Sequence, residues 1–245
     1  MNSELKNSSM LNSMQFNSTQ KNSANISAFR MPDNPYYLHN ADNGTFAGGT
    51  TSALTDLTGN GRVYAQTGGA AQPTQSLNAL NGRSILIFNG TSMFMDMAFG
   101  ATVAQPFTVM LMLRQWGSLA ATQRYLDSVS STTLRQTVIS AADGTDLSIN
   151  SGGTITYLDL TLNFNWSVFH FIFNGANSAT YMDGALVASG NAGTNSNSTF
   201  RLGATRGTAA NFAKIEYATD AGYARVLTLD EITQQTMLSK SIYAV

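Results

Sequence analysis

Short apolar runs, broken by Gly, Asn, Asp and Ser, set the rhythm of the chain from about Arg30 onward. Their length and punctuation predict β-strands. The clear runs are Ser84–Asn89, Phe107–Arg114, Leu134–Ser140, Trp166–Phe173, Ala179–Met182, Ala185–Ser189 and Phe200–Gly203. Phe107–Arg114 is apolar at nearly every position, as expected of a strand covered on both faces at the centre of a sandwich. Val168–Phe173 has the same texture, and His170 inside it reads as a packing histidine. Tyr181-Met182-Asp183-Gly184-Ala185-Leu186 predicts a tight hairpin, because Asp-Gly supplies the two positive φ angles of a two-residue turn. One helix is expected, near the C-terminus. Thr228-Leu229-Asp230-Glu231 is a capping box, and Asp230 suits the positive end of the helix dipole. Leu229, Ile232 and Thr236 would share the face that packs on the sandwich. The pattern is therefore all-β, an antiparallel two-sheet sandwich with one short C-terminal helix.

Residues 1–30 have a different texture. Asn-Ser recurs every five residues, at Asn2-Ser3, Asn7-Ser8, Asn12-Ser13, Asn17-Ser18 and Asn22-Ser23. Repeats this short cannot build a core of their own, and Asn and Ser side chains compete for backbone hydrogen bonds. The segment is expected to be an extended arm anchored on a partner through its interspersed apolar residues, Leu5, Met10, Leu11, Met14 and Phe16. Met31-Pro32-Asp33-Asn34-Pro35 then opens what reads as a linker, since closely spaced prolines block regular pairing. The expected organisation is an arm over 1–30, a linker over 31–49 and a sandwich domain over 50–245.

Composition narrows the function. Of the 245 residues only 11% are charged, against about 25% in a typical domain. Solubility then rests on uncharged polar groups, a surface suited to dense assemblies. The formal net charge is −1, so no basic stripe is available for a phosphate backbone, and nucleic-acid binding is not expected. There is no cysteine, which removes disulfides, thiolate metal sites and a cysteine nucleophile. The two histidines, His39 and His170, have no ligand spacing. No run of 18 apolar residues is present to span a membrane. Residues 1–30 lack the apolar centre of an export signal, so the chain is expected to be made in a cytoplasm and to leave it as part of a particle.

The order of the motifs resembles the concanavalin A-like lectin/glucanase superfamily, in its laminin-G-like jelly-roll branch. The resemblance covers roughly residues 50–240. It runs through Asp56-Leu57-Thr58-Gly59-Asn60-Gly61, Pro73-Thr74, Leu80-Asn81-Gly82-Arg83, Phe88-Asn89-Gly90-Thr91, Phe107-Thr108-Val109, Tyr181-Met182-Asp183-Gly184, Leu202-Gly203 and Leu227-Thr228-Leu229-Asp230-Glu231-Ile232. It implies a jelly-roll and a place among bacterial surface proteins or bacteriophage structural proteins. There is one departure. Family members often carry an acid in the strand before the last Tyr and an Asp just after that Tyr. Here Thr219 and Ala224 stand at those places, so any role of those acids does not carry over.

Candidate chemistry is sparse. The Glu-x-Asp-x-x-Glu pattern of glucanase members is missing, and glycoside hydrolysis needs two carboxylates at a defined separation. Neither a Gly-x-Ser-x-Gly elbow nor a phosphate-binding loop occurs. Asp143 and Asp146 lie in a Gly-containing stretch that reads as a turn; calcium is the one cofactor they leave open. Sugar binding would need an exposed aromatic. Trp116, Tyr36 and Tyr37 are the candidates, with core packing as the alternative for each. Trp166 begins an apolar strand and reads as core. The sequence points to a non-enzymatic virion structural protein of a bacteriophage: a capsid decoration, head fibre or tail component. Its arm, residues 1–30, would hold a virion protein such as the major capsid protein, and a homo-oligomer, for instance a trimer, would present the lectin-like domain outward. The alternative is a glycan-binding adhesin module for host attachment. A glycoside hydrolase is disfavoured.

Overall fold

The computed structural model describes residues 31–117, 121–128, 133–141, 145–157 and 165–245. The arm residues Leu5, Met10, Leu11, Met14 and Phe16 lie outside them, as does Asp143. The strands in chain order are β1 (Tyr37–Asn40), β2 (Gly44–Ala47), β3 (Thr50–Leu54), β4 (Tyr64–Ala65), β5 (Thr74–Leu80), β6 (Arg83–Ile87), β7 (Met95–Val103), β8 (Phe107–Gln115) and β9 (Gln123–Asp127). They continue with β10 (Thr137–Ser140), β11 (Leu147–Asn150), β12 (Thr154–Tyr157), β13 (Ser167–Phe173), β14 (Ser178–Met182), β15 (Ala185–Gly190), β16 (Asn197–Leu202) and β17 (Ile215–Tyr223). Helix α1 spans Leu229–Tyr243.

Two antiparallel layers follow from the pairing. The back sheet runs β15-β14-β13-β8-β17; the far edge of β17 pairs with β6 and β1 in turn, and β5 joins β6. The front sheet runs β2-β3-β4-β7-β16-β9-β10-β11-β12. A contact between Thr50 and Thr74 links the two at one edge. Inward residues of both sheets form the main core: Val109, Leu111, Phe169 and Phe171 from the back, Met97, Phe99, Phe200 and Ile149 from the front. Each such side chain contributes about 1.5–3 kcal/mol by leaving water.

The apolar texture of β8 and β13 has its explanation in a second cluster. Met110 and Met112 of β8, and Val168 and Ile172 of β13, point away from the front sheet and meet Ile232 and Tyr243 of α1. The helix lies on the outer face of the back sheet, so the central strands are covered twice. Its capping box forms as expected, with Thr228 Oγ1 accepting from the Glu231 amide and the Glu231 carboxylate accepting from the Thr228 amide. Arg225 holds that carboxyl well below its usual range, at about 2. Ile232 and Thr236 face the sheet, but Leu229 is 57% exposed, because it is the first residue of the helix and precedes the contact. The Asp183-Gly184 hairpin joins β14 to β15 with φ of 53° and 84°.

The expected linker is not one. Residues 37–40 and 44–47 are strands of the two sheets, so the sandwich starts at Tyr37 instead of residue 50. Pro32 and Pro35 precede β1 without interrupting it.

β1 is also tied to β17 by a buried polar group of residues. Asp220 Oδ1 takes His39 Nδ1–H at 2.9 Å and the Tyr217 hydroxyl at 2.8 Å, and Oδ2 takes the Tyr64 hydroxyl at 3.2 Å. His39 Nε2 lies 2.6 Å from the Arg62 carbonyl. Both imidazole nitrogens thus face acceptors, which calls for a proton on each. Burial alone would lower the His39 pKa; the Asp220 charge and hydrogen bond, with the Arg62 carbonyl, outweigh it and raise it.

Candidate functional site

With α1 over the back sheet, the outer face of the front sheet carries no helix among the described residues. Strand alternation decides what it carries. Met95, Met97 and Phe99 of β7 point inward, which turns Asp96 outward; Phe200 and Leu202 of β16 point inward, which turns Arg201 outward. In β9 the pairing with β10 shifts at Tyr125, which is an extra residue packed in the core. This bulge sets Arg124 and Asp127, three positions apart, on the same outer face.

The registers then align one row across six strands. Asp96 stands opposite Arg201, Arg201 opposite Asp127, Asp127 opposite Thr137, Thr137 opposite Asn150, and Asn150 opposite Thr154. A second row on β9–β12 is Arg124, Ile139, Ser148 and Thr156. At about 4.8 Å per strand this is a polar strip some 25 Å long.

Ion pairs pin one end of the strip. Arg201 grips Asp96 with two hydrogen bonds of 2.7 Å, and Arg206 Nη1 adds a third at 2.9 Å. Arg135 grips Asp127 at 3.1 and 3.0 Å, and the Arg206 amide donates to the same carboxylate at 3.0 Å. Such two-pronged pairs have fixed geometry. They hold the segment after β16 and the segment before β10 beside the strip. Phe94, with the Arg201 guanidinium 3.8 Å from its ring centre, and Phe212 are half-buried neighbours that expose some ring surface. The other end is hydroxyl and amide: Ser148 with Thr156 at 2.9 Å, and Asn150 Nδ2 donating to Thr154 at 2.8 Å.

The residues singled out in the sequence lie elsewhere. Tyr37 is fully buried against His39, Phe99 and Phe107, so its ring cannot stack on a sugar. Tyr36 is half-buried, edge-on to Phe99 and Phe107, with the Arg62 guanidinium 3.4 Å over its ring. Trp116 is 39% exposed, donates to the Phe88 carbonyl at 3.3 Å and has Lys214 Nζ 4.4 Å from its ring centre. Tyr36 packs at the first residue of β8 and Trp116 follows its last, so about 30 Å of strand separates them. Trp166 is core. His170 is fully buried, with Nε2 3.1 Å from Gln235 Oε1, and burial lowers its pKa to about 4. Asp146 is half-buried, and among the described residues no group of three or more His, Cys, Asp and Glu could hold a metal ion.

An acid does stand in β17 one residue beyond Thr219, at Asp220. The acid is fully buried, and Thr219 donates instead to the His39 carbonyl at 2.6 Å. The strip itself went unread. Its groups come from six strands, and only the register brings them together. The available signal was local: Asp96 and Arg201 each sit between apolar neighbours, the mark of an outward polar position in a buried-face strand.

No family model matches the sequence, and no curated protein does. Solved structures do resemble the fold. The Trypanosoma rangeli sialidase in complex with sialic acid gives a TM-score of 0.62 at 14% identity over 85% of this chain and 33% of that one. The botulinum neurotoxin serotype D ligand binding domain in complex with N-acetylneuraminic acid gives 0.62 at 8% identity, over 86% and 52%. The binding domain of botulinum neurotoxin DC in complex with SialylT gives 0.59 at 14%, over 86% and 52%. The chain spans about a third of the sialidase and about half of the neurotoxin binding domains. At these identities the likeness establishes the β-sandwich fold that such binding domains share.

Proposed function

We propose that the chain is a non-catalytic glycan-binding module of concanavalin-like type, and that a saccharide lies along the polar strip of the front sheet. The register carries this reading. It lines up carboxylate, guanidinium, hydroxyl and amide groups at strand spacing; Arg201, Asp127 and Thr137 are buried and frame the row, while Asp96, Ser148, Asn150, Thr154 and Thr156 keep accessible donors and acceptors for sugar hydroxyls. Phe94 and Phe212 add apolar surface beside it. Asp96 and Asp127 each accept three hydrogen bonds, two from one guanidinium, so neither is placed to attack a sugar or pass a proton. Sialic-acid complexes among the structural neighbours favour the same ligand class. The test is a glycan array with the full chain and with the double variant Ser148→Ala/Asn150→Ala. The expected result is saccharide binding by the native chain, weakened about tenfold or more by the variant without loss of thermal stability. Binding unchanged in the variant removes the site from this strip.

We further propose that the module is carried on a bacteriophage virion, anchored by residues 1–30 and made in the host cytoplasm. The Asn-Ser repeat, the 11% charged content and the motif resemblance support this. Deleting residues 1–30 should give a folded sandwich that no longer joins the particle. Incorporation of the shortened chain would overturn the anchoring role.

A further inference from the structure

We propose that the saccharide bound on this face carries a carboxylate, and that Arg124 receives it. The inference rests on the glycan-binding reading and adds the charge of the ligand. It starts from an imbalance. The strip and its flanks hold four guanidiniums, of Arg124, Arg135, Arg201 and Arg206, against the carboxylates of Asp96 and Asp127. Three of the four have carboxylate partners. Among the described residues Arg124 has none: its side-chain hydrogen bond there is Nη1 to Thr137 Oγ1, at 3.4 Å. Its Nε–H is buried and has no acceptor among the described residues. The acid whose charge acts on it is Asp127, and that carboxylate is already held by Arg135 and by the Arg206 amide.

A half-buried guanidinium with unmet donors carries an uncompensated desolvation cost. Burial lowers the Arg124 pKa, with Arg135 adding repulsion and Asp127 opposing both. An anion arriving from the ligand side would satisfy the group. A guanidinium fork matches the two oxygens of a planar carboxylate, which a hydroxyl cannot do. Arg124 also shares its row with Ser148 and Thr156, whose hydroxyls are placed for the neutral part of the same sugar. The bulge at Tyr125 makes the arrangement. In a regular strand, Arg124 and Asp127 would face opposite sides.

The experiment measures binding of the full chain to two carboxylated probes, a sialylated trisaccharide and a glucuronate-containing tetrasaccharide, and to both after reduction of the carboxyl to an alcohol. The expected result is that at least one probe loses about tenfold or more on reduction. Whichever probe responds identifies the source of the carboxylate. Arg124→Gln should bring the intact probe down to the affinity of the reduced one and leave the reduced one unchanged. Equal binding of intact and reduced probes overturns this inference while leaving glycan binding in place. A carboxylate preference that survives Arg124→Gln overturns the role of Arg124. Absence of binding to any saccharide removes both readings. Should Arg124→Gln fail to fold, the reduced probes still decide on the native chain.

Discussion

Replacing His170 with Phe tests the packing of α1 on the back sheet through its pH dependence. His170 stands on the outer face of β13, fully buried beneath the helix, and its hydrogen bond runs to neutral Gln235. Burial lowers its pKa from 6.5 to about 4. In the unfolded chain it takes a proton near pH 6.5, so between pH 6.5 and 4 the unfolded state binds the proton and the folded state does not. Stability from this residue is therefore present above pH 6.5 and is lost as the pH falls toward 4. The full effect of such a gap is about 3 kcal/mol. Phe keeps the apolar contact and removes the titration. It also leaves Gln235 Oε1 without its donor, at a cost of about 1–3 kcal/mol. Urea titrations followed by fluorescence of Trp166, which lies in the same cluster, give the unfolding free energy from pH 8 to 4.5. The native chain should be the more stable at pH 7.5, and the difference should shrink by about 2–3 kcal/mol, or reverse, by pH 4.5. A difference that stays constant across this range refutes the account of His170 as a neutral packing group.

The second histidine works in the opposite sense. His39 has a raised pKa, so its contribution is present below pH 6.5 and is lost as the pH rises through the folded value. Asp220→Asn should cost about 3–5 kcal/mol at pH 6 by leaving the imidazolium buried without its counter-charge, and less at pH 9; a loss that does not vary with pH would count against the ion pair. Gly203→Ala places a Cβ 2.6 Å from the Phe88 ring at a φ of +90°, and should lower stability by about 2–4 kcal/mol in the same urea assay. A neutral result there would mean that the β16 exit shifts freely, contrary to its hydrogen bond from the Gly203 amide to Tyr125.

The sandwich was legible where strands are apolar on both sides. Phe107–Arg114 and Trp166–Phe173 differ from β8 and β13 by a residue at one end, because both faces of these strands are covered and polar residues are scarce in them. The capping box and the Asp-Gly turn were legible for a different reason: each is decided by its own few side chains. Strands such as β11 and β12, Leu147–Asn150 and Thr154–Tyr157, alternate with Ser, Asn and Thr on the wet face and look like loop in a chain this rich in those residues. β17 was hidden by Thr219, Asp220 and Gly222, polar or small residues that are buried because His39, Tyr64 and Tyr37 meet them from other strands. The binding strip was hidden for the same reason. Its neighbours are set by register between distant segments, and no window of sequence contains them.

The position of β17 has a consequence for how the protein is made. This strand occupies the middle of the back sheet, between β8 and β1, yet it is synthesised about 180 residues after β1. A ribosome therefore releases β8 and β13 with their methionine and isoleucine faces bare, and nothing made earlier can fill the gap beside β8. The helix that shields those faces comes later still. Folding cannot advance from one end to the other; it waits for the insertion of one late strand, and until then the nascent chain depends on chaperones or on rapid completion to avoid self-association. Rare codons placed before residue 215 should lower soluble yield relative to the same message with common codons there.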